Sequence, residues 1–144
     1  MNRFTFFLLC LFLVFFSLNS AFGVFAAEEK REDCRVCGMW IDQYMNTRHV
    51  LTEADGSRVY FCSFTCAAKY IRKHGADAKH LQAADYPTAK LVDAEDAFYL
   101  VGSDVLPVMS YTSIIAFADI TEVKNFQKTH GGRIMTFAEV FAKH

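Results

Sequence analysis

Paired carboxylates, a Ser–His arrangement and a phosphate-cradling glycine loop are all missing from this 144-residue sequence. Their absence leaves no enzyme chemistry legible in it. A basic stripe is missing too. With Arg3 set aside, 14 basic residues stand against 16 acidic ones, a balance near −2 that offers nothing to a nucleic-acid backbone. Beyond residue 27, no apolar run is long enough to span a bilayer.

What is present begins with residues 1–27, which read as an export signal. Arg3 is their only charge, Phe4 to Phe16 are almost wholly apolar, and small residues precede the acidic "EEKRED". Short basic start, apolar middle and small-residue exit are the secretory pattern, with cleavage expected after Ala26 or Ala27. An uncleaved anchor is the alternative, because the apolar character continues weakly to Phe25. Cys10 follows "FLL" rather than small residues, so it does not mark a lipid-attachment site and is expected to leave with the signal. The working compartment is therefore extracytoplasmic, where thiols pair or are capped by a metal.

About 117 residues remain, enough for one compact domain or two very small ones. "TRHVLTEADGSRVYF" (47–61) predicts a hairpin turning at Ala54-Asp55-Gly56. "SFTCAAKYIRKHG" (63–75) predicts a helix capped by Ser63 and stopped by Gly75. Residues 76–88 read as a connector ending near Pro87, and 89–103 as two short strands. "SIIAFA" (113–118) reads as a strand, 119–132 as a second capped helix and 133–137 as a strand before a short terminal helix.

These pieces repeat. A shift of 56 residues lays "FCSFTCAAKYIRKHG" (61–75) over "FADITEVKNFQKTHG" (117–131), matching Phe61 with Phe117, His74 with His130 and Gly75 with Gly131. Ser63 falls on Asp119, another good helix cap. The expected fold is α+β: two tandem β-hairpin-plus-helix (ββα-type) repeats, residues 28–88 and 89–144, forming one compact unit. Cys62 and Cys66 fall on Ala118 and Glu122, so only the first repeat carries thiols.

The four cysteines of the mature chain form a CxxC (Cys34, Cys37), a 24-residue gap and a CxxxC (Cys62, Cys66). One pair on a loop and one at a helix start is the usual layout of a four-thiolate metal site. The helix start also favours thiolate over thiol. Two disulfides bridging the pairs are the alternative. A redox-active CxxC fits less well, because such motifs open a helix after a strand.

Two methionines bear on which metal. Met39 lies two residues after Cys37, beyond a glycine, and a thioether suits copper(I) better than zinc. Met109 stands in a loop, "PVMSYTS". Met45 and Met135 read as packing residues. His74 and His130 close matching helix ends, where a cation meets the last carbonyls, although His130 could also reach a metal. His49, His80 and His144 carry no spacing signal.

With "CRVCGM" at 34–39 and "GS…M…IAFA…F…HGG…F" downstream, the sequence resembles the nitrous-oxide-reductase accessory (NosL) family from Cys34 through Phe137. The resemblance implies a periplasmic copper(I) chaperone of two homologous αβ halves, delivering copper to a partner such as nitrous oxide reductase or its assembly machinery. It places the family's cysteine and methionine on Cys37 and Met39, and its second-half methionine on Met109. Members are typically lipoproteins, a feature this sequence does not show. "FCSFTC" in turn resembles the cysteine motif of treble-clef-type (TRASH-like) metal-sensing domains, which would hold zinc or extend a copper site.

The expected protein is thus an exported metal carrier, not an enzyme. Its site residues are Cys34, Cys37, Met39, Cys62, Cys66 and Met109, and its metal is copper(I), with zinc the alternative. Its partner is a protein that gives or receives metal, with no nucleic acid bound and membrane contact only through an uncleaved signal. The other reading is a zinc- or disulfide-stabilised interaction module without catalysis.

Overall fold

The computed structural model describes residues 31–143. The export signal and His144 lie outside the described residues. Seven strands form two antiparallel sheets. β1 (His49–Thr52), β2 (Arg58–Phe61), β3 (Leu81–Ala84) and β4 (Leu91–Asp93) make the first, in the order β2-β1-β3-β4. β5 (Phe98–Val101), β6 (Ile114–Phe117) and β7 (Arg133–Met135) make the second, in the order β6-β5-β7. Among the described residues, the α-helices are α1 (Phe64–His74), α2 (Ile120–His130) and α3 (Phe137–Lys143). Among the described residues, no helix is long and apolar enough to cross a membrane.

The tandem repeat is real at the level of elements. β2 and β6, and likewise α1 and α2, are offset by the same 56 residues that align the sequence. In each repeat the first strand is central, flanked by its hairpin partner and by the strand that follows the helix. Each helix starts at a capping side chain. Ser63 accepts the Cys66 N–H, and Asp119 accepts those of Thr121 and Glu122. Each ends on a glycine with positive φ, 62° at Gly75 and 67° at Gly131, a conformation without steric cost only for glycine. Gly132 answers a different need. A Cβ there would lie 2.9 Å from the Ser103 backbone nitrogen, so the HGG end of α2 lets β7 run close beside β5.

Residues 76–88 are not the connector that their polarity suggested. They contain β3, which pairs with both β1 and β4. Every second residue of a sheet strand can face solvent, and Gln82 does so partially while Leu81, Ala83 and Ala84 are buried; mixed polarity is what a half-covered strand shows. β4 completes the same sheet, so the first sheet extends past residue 88 to Asp93.

The two sheets are tied at Asp85. Asp85 bridges in parallel to Ala116, Tyr86 donates its N–H to the Ala116 carbonyl at 2.8 Å, and the buried Asp85 carboxylate accepts the Ala118 N–H at 3.0 Å. The main core is continuous across the tie. α1 turns Phe64, Ala67, Ala68 and Ile71 inward at helical spacing. Phe64 then meets Tyr99 of β5 edge-on at 5.3 Å and Phe137 of α3 at 6.1 Å. Burying an aromatic of this size contributes about 2–3 kcal/mol, and it holds the start of α1, with its cysteines, against the second repeat.

His49 is the polar member of that core. Its Nδ1 lies 3.0 Å from the Thr47 carbonyl, while Nε2 is buried without a hydrogen-bond partner among the described residues. Burial pushes its pKa down to about 4, against the small opposing effect of the Thr47 carbonyl. The unfolded chain therefore binds a proton that the folded chain refuses between about pH 4 and 6.5. Stability from neutral His49 is present above pH 6.5 and falls as pH drops toward 4. The loss expected in urea unfolding is about 3 kcal/mol over that window, and His49→Leu should flatten it. Separately, Asp85→Ala strands the Ala118 N–H and should cost about 1–3 kcal/mol of unfolding free energy at neutral pH.

Candidate metal centre

Cys34 and Cys37 sit on a tight knuckle. The Cys34 N–H donates to the Met39 carbonyl and the Gly38 N–H to the Cys34 carbonyl, both at 2.8 Å. Gly38 adopts φ 75° at the reversal. An isolated bridge between Asp33 and Trp40 closes the knuckle's base. The knuckle then docks on the first sheet, where the Arg35 N–H donates to the Tyr60 carbonyl at 3.0 Å. Two residues on, Cys62 follows the end of β2, and its carbonyl accepts the Thr47 hydroxyl at 2.8 Å. Cys66 lies in the first turn of α1.

These connections bring all four sulfurs within 4.8 Å of one another. Cys37 Sγ lies 3.4 Å from Cys62 Sγ, and Cys62 Sγ 3.8 Å from Cys66 Sγ. A tetrahedron with metal–sulfur bonds of about 2.3 Å has edges of about 3.8 Å, so the four thiols surround a volume of the size one ion needs. All four are free thiols, Cys34, Cys62 and Cys66 buried and Cys37 half-buried. Among the described residues this is the group of histidines, cysteines and carboxylates close enough to hold a metal.

Without a cation the cluster cannot ionise fully. Two thiolates 3.4 Å apart repel by about 5 kcal/mol even at an effective dielectric of about 20. The thiols instead share protons. Cys34 is drawn far below the ordinary thiol range because Cys62 and then Cys66 donate S–H bonds to it. Cys62 is pushed far above that range by donating to Cys34 and Cys66, with burial adding to the effect. Cys66 rises to about 12, chiefly through its bond to Cys34. A soft cation entering such a cluster takes the place of thiol protons and releases them.

Met39 is half-buried and packs against the core that contains Cys34, Cys62 and Cys66. Met109 is 37% exposed on the loop between β5 and β6, in left-handed backbone with φ 56°. Such a φ is uncommon for a residue with a side chain. Met135 is buried as expected, but Met45 is not a packing residue; it is 41% exposed, its sulfur 3.3 Å from the Arg48 guanidinium. The helix-end histidines make aromatic and carboxylate contacts. His74 packs on Tyr70, and His130 stacks on Phe126 at 3.9 Å while its Nδ1 pairs with Asp104 Oδ1 at 2.8 Å. The residues that sequence reasoning missed are Tyr60 and Thr47, whose oxygen atoms anchor the two arms of the cluster. Both contacts join distant segments, and no local spacing reports them.

Fold and site together define an α+β tandem-repeat protein with a four-thiol cluster in its first repeat, spaced so that it could hold a metal ion. The chain matches the NosL family over residues 26–144 and belongs to that family. It is 26% identical to the copper-binding lipoprotein NosL of Stutzerimonas stutzeri, over an alignment covering 83% of this chain and 75% of that relative. The crystal structure of the copper chaperone NosL from Shewanella denitrificans has the same fold, with a TM-score of 0.60 at 18% identity, covering 75% of this chain and 88% of that one. These relatives are named for binding and carrying copper rather than for catalysing a reaction.

Cobalt(II) added to the reduced protein should give the charge-transfer and visible bands of a tetrahedral thiolate site at one ion per chain. Cys66→Ser should weaken that binding by roughly 10-fold or more, read by competition with a chelator.

Proposed function

We propose that this protein is an extracytoplasmic copper(I) carrier that holds its cargo with the cysteine cluster and Met39 and surrenders it to a partner. The observation that carries this reading is the uneven exposure of the sulfurs. Three are buried and one, Cys37, reaches the surface, with the thioether-bearing Met39 two residues on. Soft thiolate and thioether donors select copper(I), and a half-exposed ligand gives an incoming group a point of attack. A thiolate, thioether or imidazole of the receiving protein takes the place of Cys37 on the cargo, and the buried sulfurs let go afterwards. Membership of a family whose characterised relatives bind copper supports the same cargo. The recipient in this reading is a copper enzyme such as nitrous oxide reductase, or its assembly machinery. Periplasmic placement is supported by the secretory pattern of residues 1–27 and by the lipoprotein nature of the Stutzerimonas relative. Met109, on the exposed loop of the second repeat, is the residue proposed to complete or relay the site.

One observation favours a second reading. Four thiols closed around a volume of tetrahedral size, three of them buried, suit a resident zinc ion that braces the knuckle against α1. The chain would then be an interaction module with structural zinc.

Metal analysis of reduced protein purified without added metal separates the two. Copper(I) titration against a competing chelator should show one tightly held ion per chain. Cys37→Ser and Met39→Ala should each weaken it by roughly 10- to 100-fold. Unchanged copper affinity in both variants, with stoichiometric zinc retained, would favour the module.

A further inference from the structure

The geometry points to Cys37 and Cys62 as a thiol–disulfide exchange pair, with Cys37 attacking external disulfides and Cys62 resolving the product into a cross-link between knuckle and sheet. The pair is not the one that the CxxC motif suggests. Cys34 and Cys37 are neighbours in sequence, but Cys34 is buried at the root of the knuckle, with its N–H and carbonyl both engaged in the turn. Cys37 is the thiol a solvent-borne molecule can reach, and the sulfur 3.4 Å from it belongs to Cys62, on the other arm of the site. A disulfide needs about 2.05 Å between sulfurs, so closing this pair takes a movement of little more than an ångström in a knuckle tip that is half exposed.

Two other features select this pair. Cys62 and Cys66 stand 3.8 Å apart, but both are fully buried and four residues apart at one helix start. Their bridge would close a very short loop and would have to be made out of reach of the oxidant. The Cys37–Cys62 bridge spans 25 residues, and constraint of the unfolded chain grows with the loop closed. In an oxidising compartment, an open metal site with one accessible thiol and one resolving partner is expected to undergo this exchange.

The step balances with an external disulfide as oxidant, either a small molecule or a protein disulfide carrier. Cys37 Sγ attacks one sulfur of that disulfide; the S–S bond breaks, and one external thiol leaves with the proton from Cys37. Cys62 Sγ, passing its proton to the neighbouring Cys34 sulfur, then attacks the Cys37 sulfur of the mixed disulfide. The second external thiol leaves with that proton, and the Cys37–Cys62 bond forms. Two protein thiols are oxidised and one disulfide is reduced to two thiols. The bridge removes two of the four sulfurs that surround the site, so the oxidised chain no longer offers a closed set. Conversely, an ion in the site occupies Cys37 and withholds it from the oxidant.

The test treats reduced, metal-free full-length protein with oxidised glutathione, then alkylates the remaining thiols and digests without reduction. Trypsin cuts after Arg35, Arg58 and Lys69, which separates Cys34 from Cys37 and places Cys62 and Cys66 on one peptide; fragmentation of that peptide tells the last two apart. Peptide 36–48 linked through Cys62, with Cys34 and Cys66 alkylated, is the expected product. Pre-loading with one equivalent of zinc(II) should slow its formation roughly tenfold or more. In Cys62→Ser the reaction should stop at glutathione bound to Cys37. A dominant Cys34–Cys37 or Cys62–Cys66 bridge, a random mixture, or a rate indifferent to zinc would each overturn the proposal. The mapping uses the wild-type chain, so it stands even if a variant folds poorly. It does not depend on which ion is the natural cargo, so its failure leaves the copper reading in place.

Discussion

Four sulfur atoms within 4.8 Å of one another are a contradiction that the rest of this structure exists to maintain. Thiols pack together readily when protonated, but any that ionise repel one another by several kcal/mol per pair. A soft cation removes the repulsion and the burial penalty together. The elements around the site hold the sulfurs at that spacing whether or not the cation is there. The glycine-turned knuckle is pinned to Tyr60, and Cys62 to Thr47. The start of α1 is clamped by Phe64 against Tyr99 and Phe137.

That clamp gives the second repeat a purpose, although it carries no thiols. α1 on its own sheet would bury one apolar stripe; packed also on β5 and α3, it is fixed at its N-terminus, where two of the four clustered cysteines stand. The Asp85 tie does the same for the backbone by joining the two sheets through hydrogen bonds to Ala116 and Ala118. A duplicated unit has thus divided its work: one copy keeps the chemistry and the other the rigidity. The loop carrying Met109, 12 residues between β5 and β6, packs Val105 and Val108 on the core and leaves Leu106 and Met109 exposed.

Exposure is distributed with equal economy of means. A site with every sulfur buried would hold an ion indefinitely, and a site with every sulfur exposed would hold it loosely and oxidise at random. Here the knuckle lifts one thiol, Cys37, toward the surface and buries its CxxC neighbour Cys34. The proposed release and the proposed oxidation would both start at that one atom, Cys37 Sγ.

Much was legible in the sequence because it depended on neighbours along the chain. Capping residues before an amphipathic run, a glycine after it and a turn at Ala54-Asp55-Gly56 report helices and hairpins locally, and the 56-residue echo reported the duplication. The cysteine spacing pointed to one cluster of four thiols, and the four sulfurs do lie together, although it is the docking of the knuckle on Tyr60 that brings them there. β3 was hidden, because a strand that is central in a sheet but covered on one side looks polar in one dimension. Met45 was misjudged because a methionine's burial depends on what lies opposite it. Tertiary structure alone decided that Cys37 faces Cys62, that His49 is sealed in the core and that His130 leans on Asp104. Each is a contact between segments 15 or more residues apart, set by how the sheets and helices pack, and no local pattern of residue types encodes a meeting at that distance.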